Sequence, residues 1–566
     1  VNCAQSSGRE IIDGGLRVSD FTFPAFCAAL GREVGDPLDR ARPLATDVED
    51  IQQAQYLYEY LYRQFQARTI VVEPRYVDRD YLAEYTSFYA TAFTPFDRFC
   101  KRVHFFTHAF DRETFARFVV EHGQHNDFAT FCNSYLGFVV VRPLPQAIIG
   151  RTVVRSYPSE DKRHYRAVGD EKVNLFGIDL TVTDTLPFEQ QDSVVAACAT
   201  VALWSAFHQT ARLFGTSSPR PAEITRQATA NLYQERAFPS QGLTVEQTCD
   251  AIRTNGLEPE VLRLDKGIHV PILSWIRAYV AMGIPVLLGM RIPRDGSAAE
   301  PLSDDMRRER AEAVAPSWHA PQSEAGDADE SDFVLHAVTV VGYKLSEAPA
   351  HARETDPNLY EAPSVGRRVT RLYCHDDNLG PFARFAVQSA PEGGRLRLLR
   401  SDYVCAGVPA EIEFENIIAP VYPKIRLSYP EVQRWVTLLD KVLRGLLHPN
   451  AYESREWDVR LVENRCARAD IFDLPLPKEK RLELLVAPQP RYMWLASLTA
   501  GDVEVVRFYA DATSIGRSVP IRIAIFATDE LKRNVIEVLG ELKDHRGASA
   551  LAQHLSGFGD SCLLTD

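Results

Sequence analysis

The apolar residues of this chain are gathered into short runs that charge, glycine or proline breaks before any reaches the length of a membrane span. "PVLLGM" and "VLHAVTVVGY" are continuous apolar stretches of the kind that a strand buried on both faces needs. Even the long stretch "HVPILSWIRAYVAMGIPVLLGM" is interrupted by Pro, Arg and Gly. Other segments repeat apolar positions at spacings of three and four, as one buried helix face requires. The mixture predicts helices and strands packed together, and no membrane as partner. At 566 residues the chain exceeds what one core organises, so roughly two to four domains are expected.

Composition narrows the function classes. With 45% apolar and 25% charged residues, wholesale disorder is excluded. A formal charge of -13 gives no broad electrostatic reason to bind nucleic acid or an anionic surface. The ten cysteines form no CxxC pair and no tight cluster, which predicts reduced thiols. The first residues lack the basic, apolar, small-residue order of a secretory signal, so a cytoplasmic address is the expectation. No phosphate-binding glycine motif follows a strand, and "FYADATSIG" and "CHDDNLGPF" lack the alternating oxygen donors of a calcium loop. No cofactor and no metal is expected.

Along the chain, residues 1–135 read as an α-rich N-terminal region, with "DIQQAQYLYEYLYRQFQ" and "DRETFARFVVEH" as its helices. Residues 136–410 form the expected central domain. Its strand-rich lead-in, "YLGFVVVRPLP", "GRTVVRSYP" and "KVNLFGIDLTVTDTLPF", precedes the small-residue helix "VVAACATVALWSAF". Thr244 and Gln247 then make a capping-box pair ahead of a second helix. A third covers Ile272 to Met282 and feeds into "IPVLLGM". An acidic insertion at 293–331 separates two strands that would otherwise form a hairpin. Residues 411–566 read as a separate α/β accessory region containing "PEVQRWVTLLDKVLRGLL", "RYMWLASL" and "PIRIAIFATD".

The chemistry-bearing residues lie in the central region. Nucleophilic thiol chemistry needs a cysteine, an imidazole that moves its proton, and an acceptor that fixes the imidazole's tautomer. Cys198 stands at or near a helix start, where the macrodipole favours thiolate over thiol. His336 begins the strand "HAVTVVGY", and Asp376 and Asp377 end the next one. Strand parity decides which aspartate faces the ring, and Asp376 is favoured because it lies where an extended strand would end.

In this arrangement the chain resembles the papain-like cysteine peptidases, and within them the branch that removes double-glycine leader peptides from bacteriocins. The resemblance covers roughly residues 185 to 385. It rests on a Gln before "AACATVAL", the helix "LTVEQTCDAIRTNGL", the segment "GIPVLLGM", the strand "HAVTVVGY" and an Asp after "RLYCH". His336 follows Cys198 by 138 residues, a separation such a domain accommodates.

The fold class this implies is α+β, a central papain-like domain between an α-rich N-terminal region and a C-terminal α/β region. By the same resemblance Cys198 is the nucleophile, His336 the base and later acid, and Asp376 or Asp377 the orienting carboxylate. Gln191 or Gln190 would donate to the oxyanion beside the Cys198 amide. The chain departs from the family in a longer Gln-to-Cys spacing, and in Ala199 where Gly commonly follows the nucleophile. The implied activity is hydrolysis of a peptide or isopeptide bond in a protein or peptide substrate, with the flanking regions selecting that substrate or a protein partner. The alternatives are acyl transfer of the transglutaminase kind, and a peptide-binding module that has lost its chemistry.

Other candidates have simpler explanations. His104 and His108, like His122 and His125, are close enough in sequence to ligate a metal, but no cysteine or acid completes a motif. Aromatic packing and surface positions account for them. Cys374 and His375 are neighbours on one strand and must face opposite ways. His208 lies too far along its helix to meet Cys198, and His319 falls within the acidic insertion, where solvation is expected.

Overall fold

The short apolar runs become antiparallel sheets in the computed structural model. It describes residues 16–31, 48–231, 237–263, 271–293, 333–347, 362–388, 397–401, 411–515, 521–542 and 546–556, apart from positions 94, 125, 146, 159–161, 193 and 241. The protein is a mixed α/β molecule. Among the described residues no helix is long and apolar enough to cross a membrane.

The N-terminal sheet pairs β1 (Arg17–Asp20), β2 (Thr69–Tyr76), β3 (Cys100–Phe106), β4 (Tyr135–Val141) and β5 (Ile149–Val154) in chain order. Helix Gln52–Phe65 packs on this unit, burying Ala54, Leu57 and Leu61 with Tyr56 and Tyr60. Among the described residues, 1–135 hold more helix than strand, as the α-rich reading has it, but that reading leaves out the sheet. β2 and β3 are short strands interleaved with aromatic helices, so the helical period dominated the pattern. The sheet also moves the expected boundary after residue 135, because β4 pairs with β3 across it: Val103 lies opposite Val139. Of the strands read as a lead-in to the central region, "YLGFVVVRPLP" and "GRTVVRSYP" complete the N-terminal sheet.

A hairpin of β7 (Gly169–Leu175) and β8 (Ile178–Thr185) links this unit to the centre. There, β10 (Val286–Pro293), β11 (Phe333–Leu345), β12 (Val369–Asp376), β13 (Gly380–Gln388), β14 (Arg397–Ser401) and β15 (Glu411–Val421) pair successively, and β15 returns to β10. Six antiparallel strands therefore close on themselves, which leaves no open edge around the ring. β6 (Arg163–Tyr165) extends the pairing of β11, and β9 (Glu258–Arg263) that of β15. The two strands flanking the acidic insertion do pair, from Val286 opposite Val340 to Pro293 opposite Phe333. Residues 294–332, which make up nearly all of the insertion, lie outside the described residues.

Helix Cys198–Phe214 packs against β11 with eleven of its seventeen residues buried, Ala199 to Phe207 without a break, as its Ala, Val and Thr content allows. Gly215 closes it in the left-handed region, at φ 74°. Helices Pro221–Thr229 and Val245–Thr254 stack beside it, the second with the expected Thr244–Gln247 capping box.

The C-terminal sheet is a meander of β16 (Arg455–Glu463), β17 (Tyr492–Ala500), β18 (Val503–Asp511) and β19 (Ile521–Phe526), flanked by helices Tyr429–Arg444 and Asp529–Glu541. One cluster of buried apolar residues runs from Phe21 through the central strands to Leu555. Arg277 also reaches Asp458 at 2.6 Å, and Arg368 reaches Glu456 at 3.1 Å, tying the central and C-terminal units by charge.

Candidate functional site

Cys198 is the first residue of its helix, and the cap residue Ala197 brings no side-chain acceptor to the first-turn amides. The amide dipoles thus point at the thiol with no side chain capping them. Thr339 fixes the helix against the sheet by donating its hydroxyl to the Ala202 carbonyl at 2.8 Å. Three residues earlier on the same strand stands His336, paired across the ring with Met290. The register of β11 on β12 places Thr339 opposite His375, so the end of β12 arrives beside His336.

These placements bring the sequence-predicted residues together. Cys198 lies close enough to the His336 ring for its thiol to favour the charged imidazole. His336 Nε2 donates to Asp376 Oδ1 at 3.0 Å, with Asp377 Oδ1 at 3.6 Å. The three are deeply buried, with exposures of 5% for His336, 1% for Asp376 and 3% for Asp377, whereas Cys198 is half-buried. Burial pushes the imidazole's pKa down, but the charges of Asp377 and Asp376, the hydrogen bond to Asp376 and the nearby Cys198 thiol outweigh it. The ring's pKa is held well above its ordinary range. The order of closeness follows from geometry: Asp376 is the last strand residue, while Asp377 opens the turn to β13.

The two glutamines separate clearly. Gln190 is turned toward the N-terminal sheet, where its Oε1 accepts from the Ile149 amide at 3.2 Å and its carbonyl accepts from Arg142 at 2.7 Å. Gln191 faces the site, its Nε2 3.5 Å from Asn378 Oδ1. Asn378 was not singled out in the sequence, yet its Nδ2 lies 3.5 Å from both ring nitrogens of His336, and its amide donates to Asp376 Oδ1 at 3.0 Å. Its only sequence signal is its place two residues after Asp376, in a turn that must fold back on the strand end.

A second set of unforeseen residues shapes the loop before the nucleophile. Asp192 Oδ1 accepts the amides of Val194, Val195 and Ala196 at 3.0, 2.8 and 2.8 Å. Its Oδ2 accepts the Tyr89 hydroxyl at 2.6 Å. Arg142 holds Glu189 at 2.7 Å and Glu84 at 3.4 Å in the same buried region. Burial, which outweighs the opposing Arg142 charge, pushes Glu189 up to about 8. On the acid side of the site, Gln53 donates to the Asp377 carbonyl at 3.1 Å and Tyr56 to the Pro381 carbonyl at 2.8 Å.

The other candidates stay outside the site. His104 is fully buried against Tyr135, whose hydroxyl meets its Nδ1 at 2.8 Å, and burial pushes it down to about 4. His375 meets the Leu186 carbonyl through Nε2 at 3.0 Å and accepts the Phe382 amide at Nδ1. That pattern fixes it as the neutral Nε2–H tautomer. His208 packs on Trp204. Residues 125 and 319 lie outside the described residues. None of Cys27, Cys100, Cys132, Cys198, Cys374 and Cys466 is in a disulfide.

The arrangement presents a thiol, a buried imidazole near it, a carboxylate behind the ring, and an amide side chain nearby. It can support acyl chemistry at sulfur. No family model matches this chain, and no curated protein matches it either.

Proposed function

We propose that the protein is a thiol-dependent hydrolase of the papain-like class that cleaves a peptide or isopeptide bond. The observation that supports this best is the single imidazole that hydrogen-bonds the Asp376 carboxylate and whose ionisation the nearby Cys198 thiol influences. In this reading the Cys198 sulfur attacks the scissile carbonyl, forming a C–S bond. The oxyanion that develops is met by the Cys198 amide at the helix start and by the Gln191 side chain. His336 takes the thiol proton as the C–S bond forms and gives it to the departing amine as the C–N bond breaks. The neutral ring then takes a proton from the water that resolves the thioester. Asp376 holds the ring's orientation through both steps. The substrate class is a protein or peptide, selected by surfaces on the flanking units.

The test uses the full-length protein with iodoacetamide and a mixture of acyl-peptide probes. Native protein is expected to be alkylated at Cys198 much faster than denatured thiols, and Cys198→Ala to lose both labelling and probe turnover. Product masses separate hydrolysis, which adds water, from transfer, which joins an amine. Labelling of native protein no faster than that of Cys198→Ala removes the catalytic reading.

A further inference from the structure

The reaction above uses one carboxylate behind the imidazole, and the site has two. His336, Asp376 and Asp377 each offer a ligand atom, and these three atoms all lie within 4.8 Å of one another, the one such grouping among the described residues. All three side chains are buried, so their positions are set by the ends of β11 and β12 rather than by solvent.

The spacing itself is informative. Metal–ligand bonds of about 2.0–2.2 Å, taken at angles from octahedral to tetrahedral, separate neighbouring ligand atoms by about 2.9–3.6 Å. Nε2 of His336 stands 3.0 Å from Asp376 Oδ1 and 3.6 Å from Asp377 Oδ1. Both edges fall inside that range. One imidazole and two carboxylates form a nitrogen–oxygen donor set suited to zinc and cobalt, with remaining positions open to water. The Cys198 sulfur is not part of the grouping.

We propose that His336, Asp376 and Asp377 form a site for a divalent cation of the zinc and cobalt class, and that its occupancy holds the thiol chemistry off. The site stands on geometry alone, whereas the inhibitory consequence rests on the hydrolase reading. Binding forms a bond from Nε2 to the metal and releases to solvent the proton that Nε2 donates to Asp376. The neutral metal-bound ring keeps its one remaining proton on Nδ1, so no nitrogen is left to take the Cys198 proton and the ring cannot pass through imidazolium. No sequence motif announces the site, because its donors come from two strands that meet only in the fold.

The experiment titrates metal-free full-length protein with cobalt(II), followed by its visible d–d absorption, and with zinc by calorimetry. Saturable one-to-one binding is expected, without a thiolate-to-cobalt charge-transfer band. Cys198→Ala should bind equally well, Asp377→Asn at least about tenfold more weakly, and His336→Gln not at all. Circular dichroism confirms that each variant is folded. The site is overturned by the absence of saturable binding, by equal binding in Asp377→Asn, or by its loss in Cys198→Ala. Metal-loaded protein that turns over acyl probes at the metal-free rate overturns the inhibition. Metal-free protein with no thiol-dependent turnover sinks the hydrolase reading while the binding result stands separately.

Discussion

Asp376 and Asp377 differ by one peptide bond and by what they reach. Asp376 hydrogen-bonds the His336 ring and accepts the Asn378 amide, while Asp377 sits farther from Nε2 and offers charge rather than a hydrogen bond. On the proposed mechanism, Asp376→Asn leaves the ring without its orienting acceptor and lowers turnover of an acyl probe by about a hundredfold or more. Gln191→Ala removes an oxyanion donor and should cost about 10²–10³ in the same assay. Because alkylation forms no oxyanion, Gln191→Ala should leave the iodoacetamide rate at Cys198 near that of the native protein. Equal slowing of both reactions would show that Gln191 supports the loop rather than the oxyanion. At this scale Cys198, His336 and the paired aspartates were legible in the sequence. Asn378 was not, because an amide in a turn carries no signature until the turn folds back on a particular ring.

The elements that hold the site belong to two units. The thiol loop is shaped by Asp192, whose carboxylate gathers three successive amides and is itself held by Tyr89 from the N-terminal unit. The acid turn is held by Gln53 and Tyr56 from one N-terminal helix. Tyr89→Phe removes one buried hydrogen bond to a charged acceptor, about 1.5–3 kcal/mol, and frees the loop that carries Gln191. Turnover of the acyl probe should fall more than the change in urea midpoint explains, and Asp192→Ala should show the larger form of the same effect. A Tyr89→Phe variant that loses stability but keeps its turnover would make this contact structural only. The expectation that residues 1–135 are a helical flank missed this coupling. β2 and β3 are short and aromatic helices surround them, so only the pairing with β4 and β5 shows how this unit approaches the thiol loop.

At the scale of the whole molecule, the buried apolar cluster is continuous from the N-terminal helices to the last one. Charge pairs such as Arg277–Asp458 cross between units. Such continuity predicts one cooperative unfolding transition, with tryptophan fluorescence and far-ultraviolet circular dichroism coincident in urea. The buried neutral imidazoles each give the pH dependence a contribution of definite sign. Burial holds His104 down to about 4 and His208 and His375 down to about 3. These rings are neutral when folded and protonate in the unfolded chain below about 6.5. Their contribution is therefore present above that value and lost as the pH falls.

His336 behaves oppositely, since its folded value is raised. Its contribution is complete below about 6.5 and is lost as the pH rises through the folded value, so it adds no further gain on the acid side. Glu189, held up to about 8, works the other way between pH 7 and pH 5, so the imidazole contribution is read as a difference: relative to the native protein, the urea midpoint of a His375→Gln variant that remains folded should rise from pH 7 to pH 5. A relative midpoint that stays level or falls over this interval would contradict the burial of the neutral His375 ring.

By itself the sequence determined several helices and strands of the central and C-terminal regions, among them the helices beginning at Cys198, Val245 and Tyr429 and the strands beginning at Val286, Phe333 and Tyr492, and which residue types can do thiol chemistry. Periodicity and side-chain chemistry are local properties, written within a few residues of each position. Only the tertiary structure decided that the six central strands close into a ring, that Gln191 rather than Gln190 faces the site, and that two aspartates share one imidazole. Those outcomes depend on strand register and on contacts between residues hundreds of positions apart, where a shift of one residue turns a side chain to the opposite face.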